Sequence, residues 1–468
     1  MAGLFGLSVD SEKYENNFDG AGFKEDLFWG IFYHQHLGED FCGVATVGKD
    51  KVFRNWLPRE GLFRPNFEKE KDFFEGTEGI GYCGSAPEPL FVDSRIGAFS
   101  ICFSGNIINR QELKKEFMDS GHVFWQKDED VEIISRLIAQ GENVADGIKK
   151  MSRKIKGAYA LLVLTSHGIY AVRCSSGHWP LVIGQKKGAV VIASESGGFN
   201  NLGFKLVEDI PPGEIAILKQ GFFSYLTSPR KIPEKQTQIC SFIWVYTAFP
   251  NGVFNGIPAS LVRKRLGALL AQRDIKNGFI ADRVAPVPYS GGSHAIGYHN
   301  EFCRQIIVGK IARLPFYDEV LLKYPYAGRS YTPQDEKRRR TEARIKLLTS
   351  AEDYRDQILV VCDDSIVRGT QTSENLVPKL ESMGFKEVHF RISNPELLSH
   401  CPAGRTTKRG ELFAAKIPLK QERIRFLNSK SERSIVKSLE YNVVDDLEKS
   451  IGLPLDQLCV DCDLNPKE

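Results

Sequence analysis

The sequence predicts two domains in tandem, an α+β front domain built on antiparallel sheet and an α/β rear domain built on a parallel sheet. Two patterns carry this. Up to about residue 233 short apolar runs follow one another at hairpin spacing, and from Cys240 onward strand-like runs alternate with helical patterns. Size agrees: 468 residues with 42% hydrophobic content can bury two ordinary cores.

In the front part, Leu161–Leu164, Ile169–Val172, Leu181–Gly184 and Val190–Ala193 are apolar runs divided by His167-Gly168, Ser175–Gly177 and Lys187-Gly188. Turn residues at those points predict successive hairpins of an antiparallel sheet. Ahead of them, Val131, Ile134, Leu137 and Ile138 recur at three- to four-residue spacing, which predicts a helix with one apolar face to lay on that sheet. The polar stretch Pro229–Gln238, with two prolines, predicts the domain boundary. Behind it Arg283–Val287, Ile358–Cys362 and Val388–Ile392 read as strands. Leu376, Val377, Leu380 and Met383 mark a helix between the last two, closed by Gly384. A start near Ser373 would leave Pro378 in the first turns, where a missing N–H is tolerated. No internal repeat or low-complexity tract is present.

Composition narrows the function. A formal charge of +3 is too small for a nucleic-acid footprint. No apolar stretch reaches membrane-spanning length, and the start MAGLFGLSVD lacks a basic leader region, so a cytoplasmic protein is expected. Ten cysteines are too sparse for a secreted disulfide scaffold and are expected to be free thiols, catalytic groups or metal ligands.

The most informative stretch is Ile358–Thr370, ILVVCDDSIVRGT. Four apolar residues of a buried strand end at the carboxylate pair Asp363 and Asp364. Ser365, Arg368, Gly369 and Thr370 follow where a helix is about to begin, so free amides and the positive helix end can face an anion. The acids alone would repel a phosphate, so a ligand should turn hydroxyls or a metal toward them and its phosphate toward the 365–370 turn. An ordinary strand-to-helix loop capped by an acid is the plainer alternative.

This string resembles the phosphoribosyl pyrophosphate (PRPP) signature of type I phosphoribosyltransferases, and its wording DDSIVRGT resembles that of the glutamine PRPP amidotransferase family. APVPYSGGSHAIGY (285–298) is similar to that family's pyrophosphate loop, LLKYPYAGRSYTPQ (321–334) to its flexible loop and ARIKL (343–347) to the segment after it. GAYALLVLTSHGIYAVR (157–173), PLVIG (180–184) and VVIASES (190–196) resemble its amidotransferase domain. Only residues 403–436 bear no likeness to it. The resemblance implies an αββα sandwich of the Ntn amidotransferase type over 1–233, a phosphoribosyltransferase domain over 234–430 and a tail over 431–468. It also implies transfer of ammonia to PRPP in purine biosynthesis, and a homo-oligomer.

By the same resemblance, Ser290, Asp363 and Asp364 would surround Mg²⁺ and PRPP, and Lys323 and Arg329 would reach over the pyrophosphate. Arg368 would border the 5′-phosphate, with Ser365, Ile366, Val367, Gly369 and Thr370 lining the site. Tyr289 stands where an aspartate is usual, and GTQTS carries one residue more than the family's GTTS. The charge run Lys337–Arg340 reads first as a solvated face, and in a loop closing over a polyphosphate it could also steer the ligand. Cys240, Cys401, Cys459 and Cys462 match the ligands of a 4Fe-4S cluster in one branch of the family, with zinc as the alternative.

The front half departs from the family's glutaminase. Ala2 occupies the place of the nucleophilic cysteine, Ser104 that of the oxyanion-hole asparagine, and GIGYCGSAPEP (79–89) lacks the substrate-clamping arginine; Gly105 and Asp130 persist. A methyl group cannot attack an amide. Glutaminase activity is therefore expected to be absent, with ammonia coming from solution or a partner protein. Cys42 and Cys83 are candidate replacement nucleophiles weighed against buried cysteines, and Cys102, Cys174, Cys303 and Cys362 read as core.

Overall fold

The computed structural model describes residues 1–14, 22–125, 130–226, 237–324, 345–401, 403–404 and 407–465. Within these, the chain forms two compact units. The first holds Met1–Cys240 and Asn251–Gly256 with a short piece near 403; the second holds Ser241–Pro250, Ile257–Cys401 and the remainder. Most of the expected boundary stretch lies outside the described residues, as do the flexible-loop positions from 325, Arg329 and Lys337–Arg340.

The first unit stacks two antiparallel sheets. One has seven strands in the order Lys205–Asp209, Val182–Lys186, Ala189–Ala193, Gly3–Val9, Glu78–Gly84, Phe41–Val47 and Phe53–Glu60. The other has six, in the order Phe222–Tyr225, Ile215–Lys219, Gly168–Arg173, Gly157–Thr165, Phe99–Ile107 and Leu90–Val92. Helix Phe23–Phe32 lies on the first sheet and helix Asp130–Ala139, backed by Val144–Lys154, on the second, giving helix, sheet, sheet, helix. The periodic face of the 130–139 helix is buried as expected: Val131, Ile134, Leu137 and Ile138 are each at most 2% exposed.

The hairpins form as expected and are shared between the two sheets of the sandwich. Thr165 pairs with Gly168 in the six-stranded sheet, whereas Lys186 pairs with Ala189 in the seven-stranded sheet. The physical cause lies between them. Buried Arg173 donates to the carbonyls of Gly177, Trp179 and Ile210 at 2.6, 3.0 and 2.7 Å, and so holds the chain where it leaves one sheet for the other.

The second unit is built on five strands in the order Phe316–Tyr317, Arg283–Pro286, Ile358–Asp363, Glu387–Ile392 and Val436–Tyr441, every neighbour parallel. Alternation along the central strand shows why both faces are covered. Leu359 and Val361 join a core with Val377, Leu380 and Phe413, while Val360 and Cys362 join another with Leu270, Ala295, Tyr298 and Phe302. Across the second face runs a buried polar triad. Arg391 donates to both oxygens of Asp274 at 2.6 and 2.8 Å, and the Tyr298 hydroxyl donates to the same carboxylate at 2.6 Å.

Pro378 stands in the first turn of its α-helix, as expected, but the helical run leading into it starts earlier than Ser373. The run begins at Thr370, widens to a π-turn over Thr372–Leu376 and continues as an α-helix over Val377–Ser382. The Val377 N–H reaches back five residues to the Thr372 carbonyl. One added residue in a helix shows itself as such a wide turn, which matches the extra residue in GTQTS. Pro378 then sits at the start of the renewed α-helix.

Candidate active site

The acid pair and its turn stand at the carboxyl end of the parallel sheet. Strand register places Pro286 beside Cys362, so the Val287–Gly291 turn rises next to the end of the Ile358–Asp363 strand. The Val287 N–H donates to the Cys362 carbonyl at 2.9 Å. Any Cβ on Gly291 would lie 2.1 Å from that same oxygen, so only glycine lets the two segments close up. The fit brings Ser290 to Asp363: the hydroxyl donates to Asp363 Oδ1 at 2.6 Å, an oxygen that also accepts the Asp364 N–H at 2.9 Å. The Ser365 hydroxyl donates to Asp364 Oδ2 at 2.8 Å. Ser290, Asp363, Asp364 and Ser365 thus form one continuous oxygen cluster.

Burial holds the Asp363 carboxyl well above the usual carboxylate range, and the neighbouring Asp364 charge pushes it the same way. A cation at this point would relieve both effects. Side-chain oxygens from three residues are the donor type that a hard divalent ion takes, so the residues present suit Mg²⁺.

Beyond the acids the turn becomes the cradle. Gly369 has φ of +76°, and a Cβ there would also meet the Phe413 ring at 2.7 Å. The Ser373 N–H closes on the Gly369 carbonyl at 3.0 Å, and its hydroxyl donates to the Thr370 carbonyl at 3.2 Å. Ile366 is 5% exposed and its side chain belongs to the hydrophobic core, so it anchors the turn on the sheet and can line the site only through its backbone. Lys323 stands over the Tyr289 ring, 5.2 Å from its centre, so the tyrosine at the aspartate position gives the lysine an aromatic face.

Three participants carry no local signal in the sequence. The Ser393 and Asn394 N–H groups donate to the carbonyls of Asp363 and Asp364 at 3.0 and 2.7 Å, bracing the acid pair from the next strand. Glu411, from the stretch without family likeness, takes Nε and Nη2 of Arg368 on one carboxylate oxygen at 3.0 and 2.9 Å.

In the first unit two of the expected remnants, Ala2 and Ser104, are in contact. The Ala2 N–H donates to Ser104 Oγ at 2.8 Å, and the Ala2 carbonyl accepts from Ser194 Oγ at 3.1 Å. Gly105 lies opposite Tyr159 on the neighbouring strand, and Asp130 accepts the Ile107 N–H at 3.2 Å with Arg110 at 3.5 Å. Where an arginine clamp is missing, the Tyr82 hydroxyl folds toward Gly84 and accepts the Ala86 N–H at 3.3 Å. Neither replacement thiol is activated. Burial pushes Cys42 up to about 11 and Cys83 well above the usual thiol range, and their sulfurs bond the carbonyls of Arg59 and Ile31.

None of the ten cysteines is in a disulfide. Cys102, Cys174 and Cys362 are buried, whereas Cys303 is only half-buried, since its helix turns that position toward the surface, with Sγ 3.7 Å from His299 Nδ1. Cys401, Cys459 and Cys462 belong to the second unit, and Cys240 is the last residue before it. The Leu398 and Ser399 N–H groups both donate to the Cys462 carbonyl at 2.8 and 3.1 Å, and burial pushes the Cys459 thiol up to about 12. The donor type suits a thiophilic metal, but among the described residues no three His, Cys, Asp or Glu side chains are gathered closely enough to hold an ion.

A family model described as a glutamine amidotransferase domain matches residues 83–201. The amidophosphoribosyltransferase of Methanocaldococcus jannaschii is 30% identical, with 99% of this chain and 96% of that protein covered. That of Archaeoglobus fulgidus is also 30% identical over 83% of each. Among solved structures, the glutamine PRPP amidotransferase of Bacillus subtilis complexed with ADP and GMP superposes with a TM-score of 0.80 at 26% identity, covering 98% of this chain and 96% of that one. Its likeness extends through both units, so the architecture is an Ntn-type amidotransferase sandwich followed by a phosphoribosyltransferase domain. The described residues include no helix long and apolar enough to cross a membrane. With near-complete coverage by relatives of one kind, and an acid pair running into a glycine-containing turn, the chain belongs to the amidophosphoribosyltransferase family.

Proposed function

We propose that this protein joins ammonia to PRPP to give 5-phosphoribosylamine and pyrophosphate in purine biosynthesis, without hydrolysing glutamine. The observation that carries the reading is the oxygen cluster of Ser290, Asp363, Asp364 and Ser365 beside the Gly369 turn. PRPP needs such a pairing, hydroxyls toward the acids and the 5′-phosphate toward the turn. Mg²⁺ held by Ser290, Asp363 and Asp364 supplies Lewis-acid stabilisation of the departing pyrophosphate when bound. The chain's own groups orient the ribose, Lys323 and Arg329 draw the diphosphate, and ammonia attacks the anomeric carbon as the diphosphate leaves with the bonding pair. The nitrogen then gives up a proton to solvent. Ala2 and Ser104 supply neither nucleophile nor oxyanion donor of the family's kind, so ammonia comes from solution or from a separate protein. The reading places the protein in the cytoplasm as a homo-oligomer.

A regulator that binds PRPP or a nucleotide without turnover is the second reading, favoured by Lys323 resting on Tyr289 instead of an acid-lined loop. A phosphoribosyltransferase with another acceptor is the third. Pyrophosphate release from Mg-PRPP, followed with ammonium, with glutamine and with neither, separates them. Release with ammonium alone is expected. Release with glutamine refutes the loss of ammonia production from glutamine; binding without release selects the regulator, and dependence on a different added acceptor selects the third.

The thiol set belongs to the same reading. A 4Fe-4S cluster on Cys240, Cys401, Cys459 and Cys462 would pin the tail, with zinc as the alternative. Anaerobically purified protein is expected to be brown with about four iron and four sulfide per chain. A colourless protein with one zinc refutes iron-sulfur.

A further inference from the structure

The Arg409–Ile417 stretch, which carries no family likeness in sequence, is docked on the phosphate cradle. Two contacts fasten it. The Phe413 N–H donates to the Val367 carbonyl at 2.8 Å, and the Phe413 ring, 2% exposed, covers Gly369 so closely that no side chain would fit there. Leu412, 4% exposed, buries the residue between. Glu411 is therefore delivered to Arg368 by a fixed anchor rather than by a swinging loop. Its carboxylate receives two guanidinium donors on one oxygen, the side-on form of the contact that a phosphate oxygen would make.

We propose that Glu411 is a built-in competitor for the 5′-phosphate: it occupies Arg368 in the free protein and must be displaced when a phosphorylated ribose enters, so it sets the phosphate affinity of the cradle. The inference rests on the PRPP reading above. Magnitudes make displacement reasonable. Both partners are substantially exposed, and such pairs are worth at most about 1 kcal/mol, less than a phosphate dianion gains from an arginine with a ring of backbone amides. The anchor holds the carboxylate at the arginine, since Phe413 and Leu412 remove most of the freedom its backbone would otherwise keep.

Ribose 5-phosphate is the suitable probe because it carries the 5′-phosphate without the diphosphate. Calorimetric titration of the full-length protein at low ionic strength is compared with Glu411→Gln, Arg368→Gln and the double variant. Removing the carboxylate charge is expected to tighten ribose 5-phosphate binding by about fivefold, the upper range for an exposed pair. That gain should vanish in the Arg368→Gln background, because the competition needs the arginine. Added chloride should shrink it. Unchanged or weaker binding by Glu411→Gln overturns the proposal while leaving the PRPP reading standing if Mg-PRPP still binds. Failure of the unsubstituted protein to bind either ribose 5-phosphate or Mg-PRPP removes the PRPP reading, and this inference with it.

Discussion

Changing Asp363 and Asp364 together to asparagine is expected to lower pyrophosphate release from Mg-PRPP by on the order of 10²–10³-fold, the rate equivalent of losing several kcal/mol of metal-assisted charge stabilisation. The exchange is nearly isosteric. Ser290 can still donate to an amide oxygen, and the braces from Ser393 and Asn394 fall on carbonyls that the substitution leaves alone. What disappears is the negative charge that, under the proposed function, would hold a cation and accept ribose hydroxyls. Stability should move the other way. Asp363 has its folded-state protonation pushed upward, so its ionised form costs stability as pH rises above the ordinary carboxylate value. A neutral amide is relieved of that cost, and the melting temperature at neutral pH should hold or rise while turnover collapses. An unaltered calorimetric signal with Mg-PRPP in the double variant would remove the acids from the site.

The second large effect is on folding. Truncating Arg391 to alanine is expected to cost about 3–5 kcal/mol, because Asp274 would be left buried without its partner. Both groups are at most 5% exposed, and the pair joins the sheet to two helices through Tyr298. For a domain of this size that corresponds to a fall of roughly 6–20 °C in melting temperature by calorimetry. Replacing Asp274 and Arg391 together by apolar residues should be milder than either single truncation, since no buried charge remains. A single Arg391→Ala variant that melts within a degree or two of the parent would show the ion pair to be energetically idle.

What the sequence made legible was local. Apolar runs ending in Gly turns, the 3.6-residue face of the 130–139 helix and the passage of Ile358–Cys362 into a Gly-containing turn are decided by neighbours within a dozen residues. The Asp363, Asp364, Ser365 and Gly369 arrangement could be read for the same reason, and the pairing of Ser290 with Asp363 followed only from the family likeness. The misses are long-range. Whether two hairpins share a sheet depends on Arg173 gathering three carbonyls after the chain has turned, which no periodicity records. The hold of Glu411 on Arg368 spans 43 positions, and the Arg391–Asp274 pair 117. The burial of the Ile366 side chain is likewise set by the core beneath and not by its neighbours in the string.

The wide turn at Thr372–Leu376 has a bearing on how this loop can change in length. In a regular helix one added residue rotates everything after it by about 100°, which would swing Val377 and Leu380 off the sheet. Here both remain fully buried. The bulge takes up the phase error within one turn, so the ligand-facing side can gain a residue while the hydrophobic side keeps its alignment. The length of this corner can therefore change without any renegotiation of the core.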